Sequence, residues 1–302
     1  MNIAVIGPGA MGLLYAARLS ENANVSLIGN NSVNIDAINK NKVRLKYNGQ
    51  TTVHDIPAFL SGTLNEKQDL VIIFTKAYVT EQALSENKNI LGENTYVLTL
   101  QNGCGHGEVI KKFVKEENIL IGTTKEGSKR ENAFTVENTG RGETAFGTFN
   151  GEKLSCGEEI ADVFSKSDMP CKYTDNIKQM IWDKLMINAS SSVLTGVLQQ
   201  NQGFIAENEY AFDLCKKLVE EICEAAAEEG CVFDKEEQKE RLYNHLKNAP
   251  QGYTSIYFDI KEGRKTEAEY ISGYVVKTAL KHNKTLPVSQ TVLSLVHAME
   301  GR

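Results

Sequence analysis

The sequence has no excess of basic charge: 33 Lys and Arg stand against 39 Asp and Glu, a net charge of −6. Nucleic-acid binders usually carry a basic surface. No stripe of Lys and Arg breaks the acidic average here, so nucleic acid is not an expected partner. No apolar run approaches the ~20 residues that span a bilayer, so no membrane partner is expected either. The six cysteines (Cys104, Cys156, Cys171, Cys215, Cys223 and Cys231) form no CxxC pair and no zinc-ligand spacing. They read as buried free thiols, with no metal site. The first residues lack the basic leader of a signal peptide and run straight into glycines. A protein of the reducing cytoplasm is the expected class. Internal repeats and low-complexity tracts are also missing.

What is present is a chain of 302 residues, 41% of them hydrophobic. That length suits two domains of roughly 150 residues. The first half alternates strand and helix signals. Short apolar runs at Asn2–Gly7, Val25–Gly29, Asp69–Thr75, Tyr96–Leu100 and Asn118–Thr124 predict buried strands. Helical segments between them predict a parallel sheet covered on both faces. Phe134–Thr148, around Asn-Thr-Gly-Arg-Gly, suggests an antiparallel hairpin closing that sheet. A helix at Gly157–Ser167 and a strand at Cys171–Tyr173 complete residues 1–175. From Asn176 onward strand signals vanish. Helices are expected at Asn176–Gln200, Ala206–Gly230, Lys235–Leu246, Ile260–His282 and after Pro287, making residues 176–302 an all-helical domain.

Gly7-Pro8-Gly9-Ala10-Met11-Gly12 fits GxGxxG. Gly7 allows a tight turn, Gly9 lets backbone approach a pyrophosphate, and Gly12 permits close packing of helix on strand. Placed between a strand and a helix, this is the dinucleotide fingerprint of a Rossmann-type domain. The anion then sits at a helix N-terminus. The second strand should end in the residue that reads the adenosine ribose: an acid for NAD, an Arg nearby for NADP. Here Asn30, Asn31 and Ser32 follow Gly29. No acid repels a phosphate, so NADP is the expected cofactor, with NAD left open.

Met180–Gln200 places Lys184, Asn188 and Ser192 at four-residue intervals in an apolar stretch. On a helix they share one face. Either Lys184 snorkels to solvent, or the stripe is buried and paired. Thr266-Glu267, taken alone, reads as the solvated first turn of a helix.

These segments, in order, resemble the ketopantoate reductase (2-dehydropantoate 2-reductase) family over nearly the whole chain. The matching segments are GPGAMG, Phe74-Thr75-Lys76-Ala77, Leu100-Gln101-Asn102-Gly103, Gly140-Arg141-Gly142-Glu143-Thr144, Trp182-Asp183-Lys184-Leu185 with Asn188, and Ser255 to Asp259 followed by Thr266-Glu267 and Gly273. The resemblance implies that Lys184 is the catalytic lysine and Glu267 the essential acid. It implies that Asn102 lies beside nicotinamide and substrate, that Asn188, Ser192 and Ser255 are substrate-binding positions, and that Lys76 contacts the cofactor. Three departures stand out. Asn30-Asn31 replace the family's arginine. Ser192 replaces a second asparagine and has one donor hydrogen where the amide has two. Lys125-Glu126 follow Gly122-Thr123-Thr124, where small neutral residues are usual. The expected activity is NADPH-dependent reduction of ketopantoate to (R)-pantoate, in pantothenate biosynthesis. The alternatives are another branched 2-keto acid, an opine-type imine, or a dinucleotide sensor without turnover. A small 2-keto acid is the expected partner, and a homodimer is left open.

Overall fold

The computed structural model describes residues 1–301 and divides into two compact units. The first contains residues 1–101 and 106–177; the second contains 102–105 and 178–301.

In the first unit the elements run β1 (Asn2–Ile6), α1 (Ala10–Leu19), β2 (Asn24–Gly29), α2 (Ser32–Asn41), β3 (Val43–Tyr47), β4 (Gln50–His54), β5 (Ala58–Leu60), β6 (Leu70–Ile73), α3 (Thr80–Glu86), β7 (Tyr96–Thr99), α4 (His106–Ile110), β8 (Ile119–Thr124), β9 (Gly127–Arg130), β10 (Thr135–Gly140), β11 (Thr144–Thr148), α5 (Gly157–Lys166) and β12 (Cys171–Tyr173). Eight strands form one sheet in the order β12-β11-β8-β7-β6-β1-β2-β5. β8, β7, β6, β1, β2 and β5 pair in parallel, while β11 lies antiparallel to β8. The run Leu70–Ile73, which lacks polar alternation, is buried throughout, as expected for a strand covered on both faces.

The expected hairpin over 134–148 does not form. β10 and β11 belong to different sheets: β10 pairs with β3 and β9 in a second sheet of order β4-β3-β10-β9. Gly142 makes the passage between sheets, and a Cβ there would stand 2.6 Å from the Lys125 carbonyl oxygen. Arg141 folds back to Asp168 at 2.7 Å, which Arg18 also holds at 2.6 Å. The β3–β4 hairpin turns at Asn48-Gly49, both with positive φ. Sequence reasoning passed over that signal, although Asn-Gly is the preferred two-residue hairpin turn.

The second unit is helical: α6 (Ile177–Ile187, whose first residue belongs to the other unit), α7 (Val193–Leu198), α8 (Gln202–Glu207), α9 (Glu209–Glu228), α10 (Lys235–Asn248), α11 (Ser255–Lys261), α12 (Ser272–Lys281) and α13 (Pro287–Met299). Three expected helices are interrupted. A π turn, Asn188–Ser192, separates α6 from α7. Residues 262–271 leave the α-helix, with a 3-10 turn at Ala268–Tyr270. The helix expected from Ala206 is two helices, because Asn208 caps α9 by accepting from the Ala211 N–H at 3.0 Å. Among the described residues all six cysteines are free; Cys215, Cys223 and Cys231 are buried, while Cys104, Cys156 and Cys171 are half-buried rather than fully buried as expected. No helix among the described residues is long and apolar enough to cross a membrane.

The tightest constraint in the first unit lies where α1 meets β1. A Cβ on Gly12 would stand 2.0 Å from the Gly7 carbonyl oxygen. We expect Gly12→Ala to destabilise the protein by roughly 2–3 kcal/mol in denaturant unfolding, the range of overpacking costs. An unchanged midpoint would show that the turn relaxes freely.

Candidate active site

The glycine turn is built by backbone alone. Gly7 has φ +102 and donates to the Ile28 carbonyl at 2.9 Å; a Cβ there would meet the Phe74 carbonyl carbon and Thr75 nitrogen at 2.8 Å. Gly9 donates back to the Gly7 oxygen at 2.8 Å. A Cβ on Gly9 would meet nothing within 4 Å. No side chain caps the N-terminus of α1. Thr75 Oγ1 is buried with no hydrogen-bond partner. Open space over Gly9, free helix N–H groups and an orphaned hydroxyl fit a dinucleotide pyrophosphate. Pro8, Ala10 and Met11 are half-buried around it.

Asn30 and Asn31 are exposed, and the Asn31 side chain caps α2 by accepting from the Asn34 N–H at 3.0 Å. Lys76 is half-buried and leads a 3-10 turn, Ala77–Val79. Gln101 holds that turn: its amide nitrogen donates to the Thr75 carbonyl at 2.7 Å and lies 2.9 Å from Thr80 Oγ1. Strand β9, which sequence reasoning missed, lies against α1 and the turn. Ser128 Oγ lies 3.0 Å from Met11 Sδ, and Arg130 Nη1 donates to the Pro8 carbonyl at 3.2 Å. A separate cavity of about 670 Å³ opens at the other end of β1 and β2, lined by Asn2, Asn24, Asp55 and Glu66 among others. Its carboxylates disfavour phosphate, so it is no candidate for the dinucleotide.

In the helical unit, Lys184 is half-buried on α6. Packed protein around its ammonium pushes its pKa down to about 8, while the nearby Glu267 charge works in the opposite sense. A lysine reaching freely into water would show no such depression. Glu267 is not in a solvated first turn: it is 8% exposed and Thr266 is 2% exposed. Glu300 fixes that segment by accepting from the Thr266 N–H at 2.9 Å and its hydroxyl at 2.6 Å.

Asn102 belongs to this unit with the three residues that follow it. Gly103 (φ +92) lets the chain pass so close to Tyr270 that a Cβ would lie 2.2 Å from the Tyr270 oxygen. Cys104 donates to that same oxygen at 2.8 Å, and Tyr270 donates to the Glu267 carbonyl at 2.9 Å. The Asn102 loop is thereby tied to the turn that carries Glu267.

A π turn, Asn188–Ser192, lies within the polar stripe. Over the eight residues from Lys184 to Ser192, an uninterrupted α-helix drifts about 80° off the starting direction. A wider turn of roughly 4.4 residues cancels most of that drift. Hydroxyls take the carbonyls at the junction: Ser190 bonds the Met186 oxygen, and Ser191 the Ile187 oxygen at 3.1 Å. Asn188 is half-buried and Ser192 is buried. The Ser192 carbonyl accepts from Thr254 Oγ1 at 3.2 Å, and Thr254 caps α11, whose first residue is the exposed Ser255.

One anchor was missed from sequence. Glu229 accepts from Trp182 Nε1 at 3.2 Å and from the Tyr274 hydroxyl at 2.7 Å, and pairs with Lys178 at 3.3 Å. It thus pins α6, which carries Lys184, to α9 and α12. A lone Glu at a helix end gives no sequence signal for this.

Known proteins resemble the whole chain. The ketopantoate reductase PanE/ApbA family matches residues 3–151, and the C-terminal domain of that family matches residues 176–300. The chain is 30% identical to a 2-dehydropantoate 2-reductase of Lactococcus lactis subsp. lactis, covering 99% of this chain and 98% of the relative. It is also 30% identical to the enzyme of that name from Pyrococcus horikoshii, over 100% and 98% of the two chains. Among solved structures, it is similar to D-mandelate dehydrogenase in a ternary complex with NADH and anilino(oxo)acetate. That match has TM-score 0.93 and 29% identity, and covers 99% of this chain and 98% of the other.

The open space over Gly9 has a direct consequence. Gly9→Ala is expected to leave unfolding stability within about 0.5 kcal/mol. It should weaken dinucleotide binding by about tenfold or more, the effect of one poor contact. Binding measured by titration calorimetry that survives the added methyl would remove the turn from the binding site.

Proposed function

The chain belongs to the ketopantoate reductase PanE/ApbA family, and from that membership we propose that it reduces 2-dehydropantoate to (R)-pantoate with NADPH. Family membership makes it an oxidoreductase acting on CH–OH groups. The observation that carries the reading is Lys184, half-buried on α6 with its ammonium packed in protein and facing the Glu267 charge.

The dinucleotide, when bound, supplies hydride to the keto carbon. Lys184 donates a proton from Nζ to the keto oxygen, so the developing alkoxide meets a cation already in place. The amine left behind takes a proton from water before the next cycle. At neutral pH a lysine with a pKa of about 8 is mostly protonated, yet gives up its proton more readily than one in water. Glu267 keeps the ammonium charged against desolvation and accepts from the substrate hydroxyl. Ser255 faces the carboxylate. Asn188 and Ser192 hold the substrate along the stripe, and Asn102 stands at the reacting end. Gly7, Gly9, Gly12 and Lys76 hold the dinucleotide.

A second reading replaces the branched substrate with an aryl 2-keto acid. Tyr253, Tyr257 and Phe258 cluster around the start of α11, with Tyr253–Tyr257 ring centroids 4.4 Å apart and Tyr257–Phe258 5.3 Å. Phe258 lies three residues from Ser255, on the same helix face, and both are exposed. Aromatic rings beside the carboxylate site suit an aryl group, as does the relative whose complex holds anilino(oxo)acetate.

Oxidation of NADPH and of NADH, followed with ketopantoate and with benzoylformate, separates the readings. We expect turnover with ketopantoate, falling as pH rises through about 8 because protonated Lys184 is the acid. Lys184→Ala should lower kcat by about 10³-fold while dinucleotide binding persists. Benzoylformate as the better substrate would favour the second reading. Activity that survives in Lys184→Ala would refute the mechanism.

A further inference from the structure

Arginines in this fold are almost all engaged. Among the described residues, Arg18 and Arg141 share Asp168, Arg241 holds Asp183 at 2.9 Å, and Arg264 holds Asp259 at 2.9 Å. Arg44 lies over the Phe134 ring at 5.6 Å. Arg130 differs. It is exposed at the end of β9, has no carboxylate partner among the described residues, and donates from a single nitrogen to the Pro8 carbonyl at 3.2 Å. A guanidinium has five N–H donors, so most of its capacity is unspent beside the glycine turn.

Pro8 also marks where the adenosine ribose should lie. A Cβ on Gly29 would meet the Pro8 ring at 2.8 Å. Gly29 ends β2, and the next residue, Asn30, occupies the position that reads the ribose 2′ substituent. That position offers no charge of its own. Asn30 and Asn31 are neutral, and the Asn31 carbonyl oxygen is already spent on capping α2. The first turn of α2 has no acid to repel a phosphate.

We propose that Arg130, reaching across Pro8 from β9, is the cation that binds the 2′-phosphate of NADPH, in place of an arginine on the loop after β2. The proposal rests on the dinucleotide reading of the glycine turn. It makes the second sheet part of the cofactor site and gives β9 a binding role that its sequence, Gly-Ser-Lys-Arg, does not advertise.

Equilibrium binding of NADPH and NADH to the purified full chain, by titration calorimetry, is the test. The wild type should bind NADPH at least about tenfold more tightly than NADH, as one or two charge-assisted hydrogen bonds would give. Arg130→Gln should erase most of that preference, leave NADH affinity unchanged and leave the thermal midpoint unchanged. Arg130→Lys, which keeps the charge, should retain part of it. Equal weakening of both dinucleotides would overturn the proposal by assigning Arg130 to the pyrophosphate. A preference that survives in Arg130→Gln, or a wild type that does not prefer NADPH, overturns it as well. A wild type that binds neither dinucleotide would overturn the reading of the turn itself, whatever the variants do.

Discussion

A lysine ammonium held among packed side chains is the constraint on which the helical unit is organised. Desolvation pulls the Lys184 pKa down to about 8, and the Glu267 charge limits the fall. The folded value lies below the ordinary lysine value near 10.5, so the folded chain binds this proton less readily than the unfolded one. The sign of linkage follows: Lys184 lowers stability at neutral pH, and that penalty disappears as pH rises from about 8 towards 10.5. A residue that costs stability needs rigid surroundings. They are present: Glu300 fixes Thr266 beside Glu267, Tyr270 links that turn to the Asn102 loop, and Glu229 fixes Trp182 on the same helix as Lys184.

Much of this was legible in the sequence. Gly7, Gly9 and Gly12 carry distinct backbone demands, and the structure meets each one: a positive φ, open space and a close helix contact. The buried strands announced themselves because their apolar runs have no polar alternation. The spacing of Lys184, Asn188 and Ser192 was visible as well. What spacing alone could not settle was whether the stripe faced water or protein. The resemblance to ketopantoate reductases tipped that choice, and the burial of Glu267 and the desolvated ammonium of the half-buried Lys184 agree with it.

The remainder was hidden for physical reasons. A π turn leaves no periodic mark, because its signature lies in which carbonyls accept from the hydroxyls of Ser190 and Ser191. The segment 134–148 alternates like a hairpin, yet its halves enter different sheets. That choice depends on Gly142 passing over Lys125 and on Arg141 reaching Asp168, contacts set by distant parts of the chain. Arg130 and Glu229 were invisible for the same reason. Each acts through a partner far away in sequence, Pro8 in one case and Trp182 with Tyr274 in the other.

The central claim is that burial, opposed by Glu267, tunes Lys184 to act as an acid near neutrality. Titration of the lysine side chains by NMR, with the Lys184 signal assigned from a Lys184→Arg variant, tests it directly. The account predicts a midpoint near pH 8 that falls further in Glu267→Gln, where desolvation acts unopposed. A midpoint near 10.5, unmoved by the Glu267 change, would contradict it.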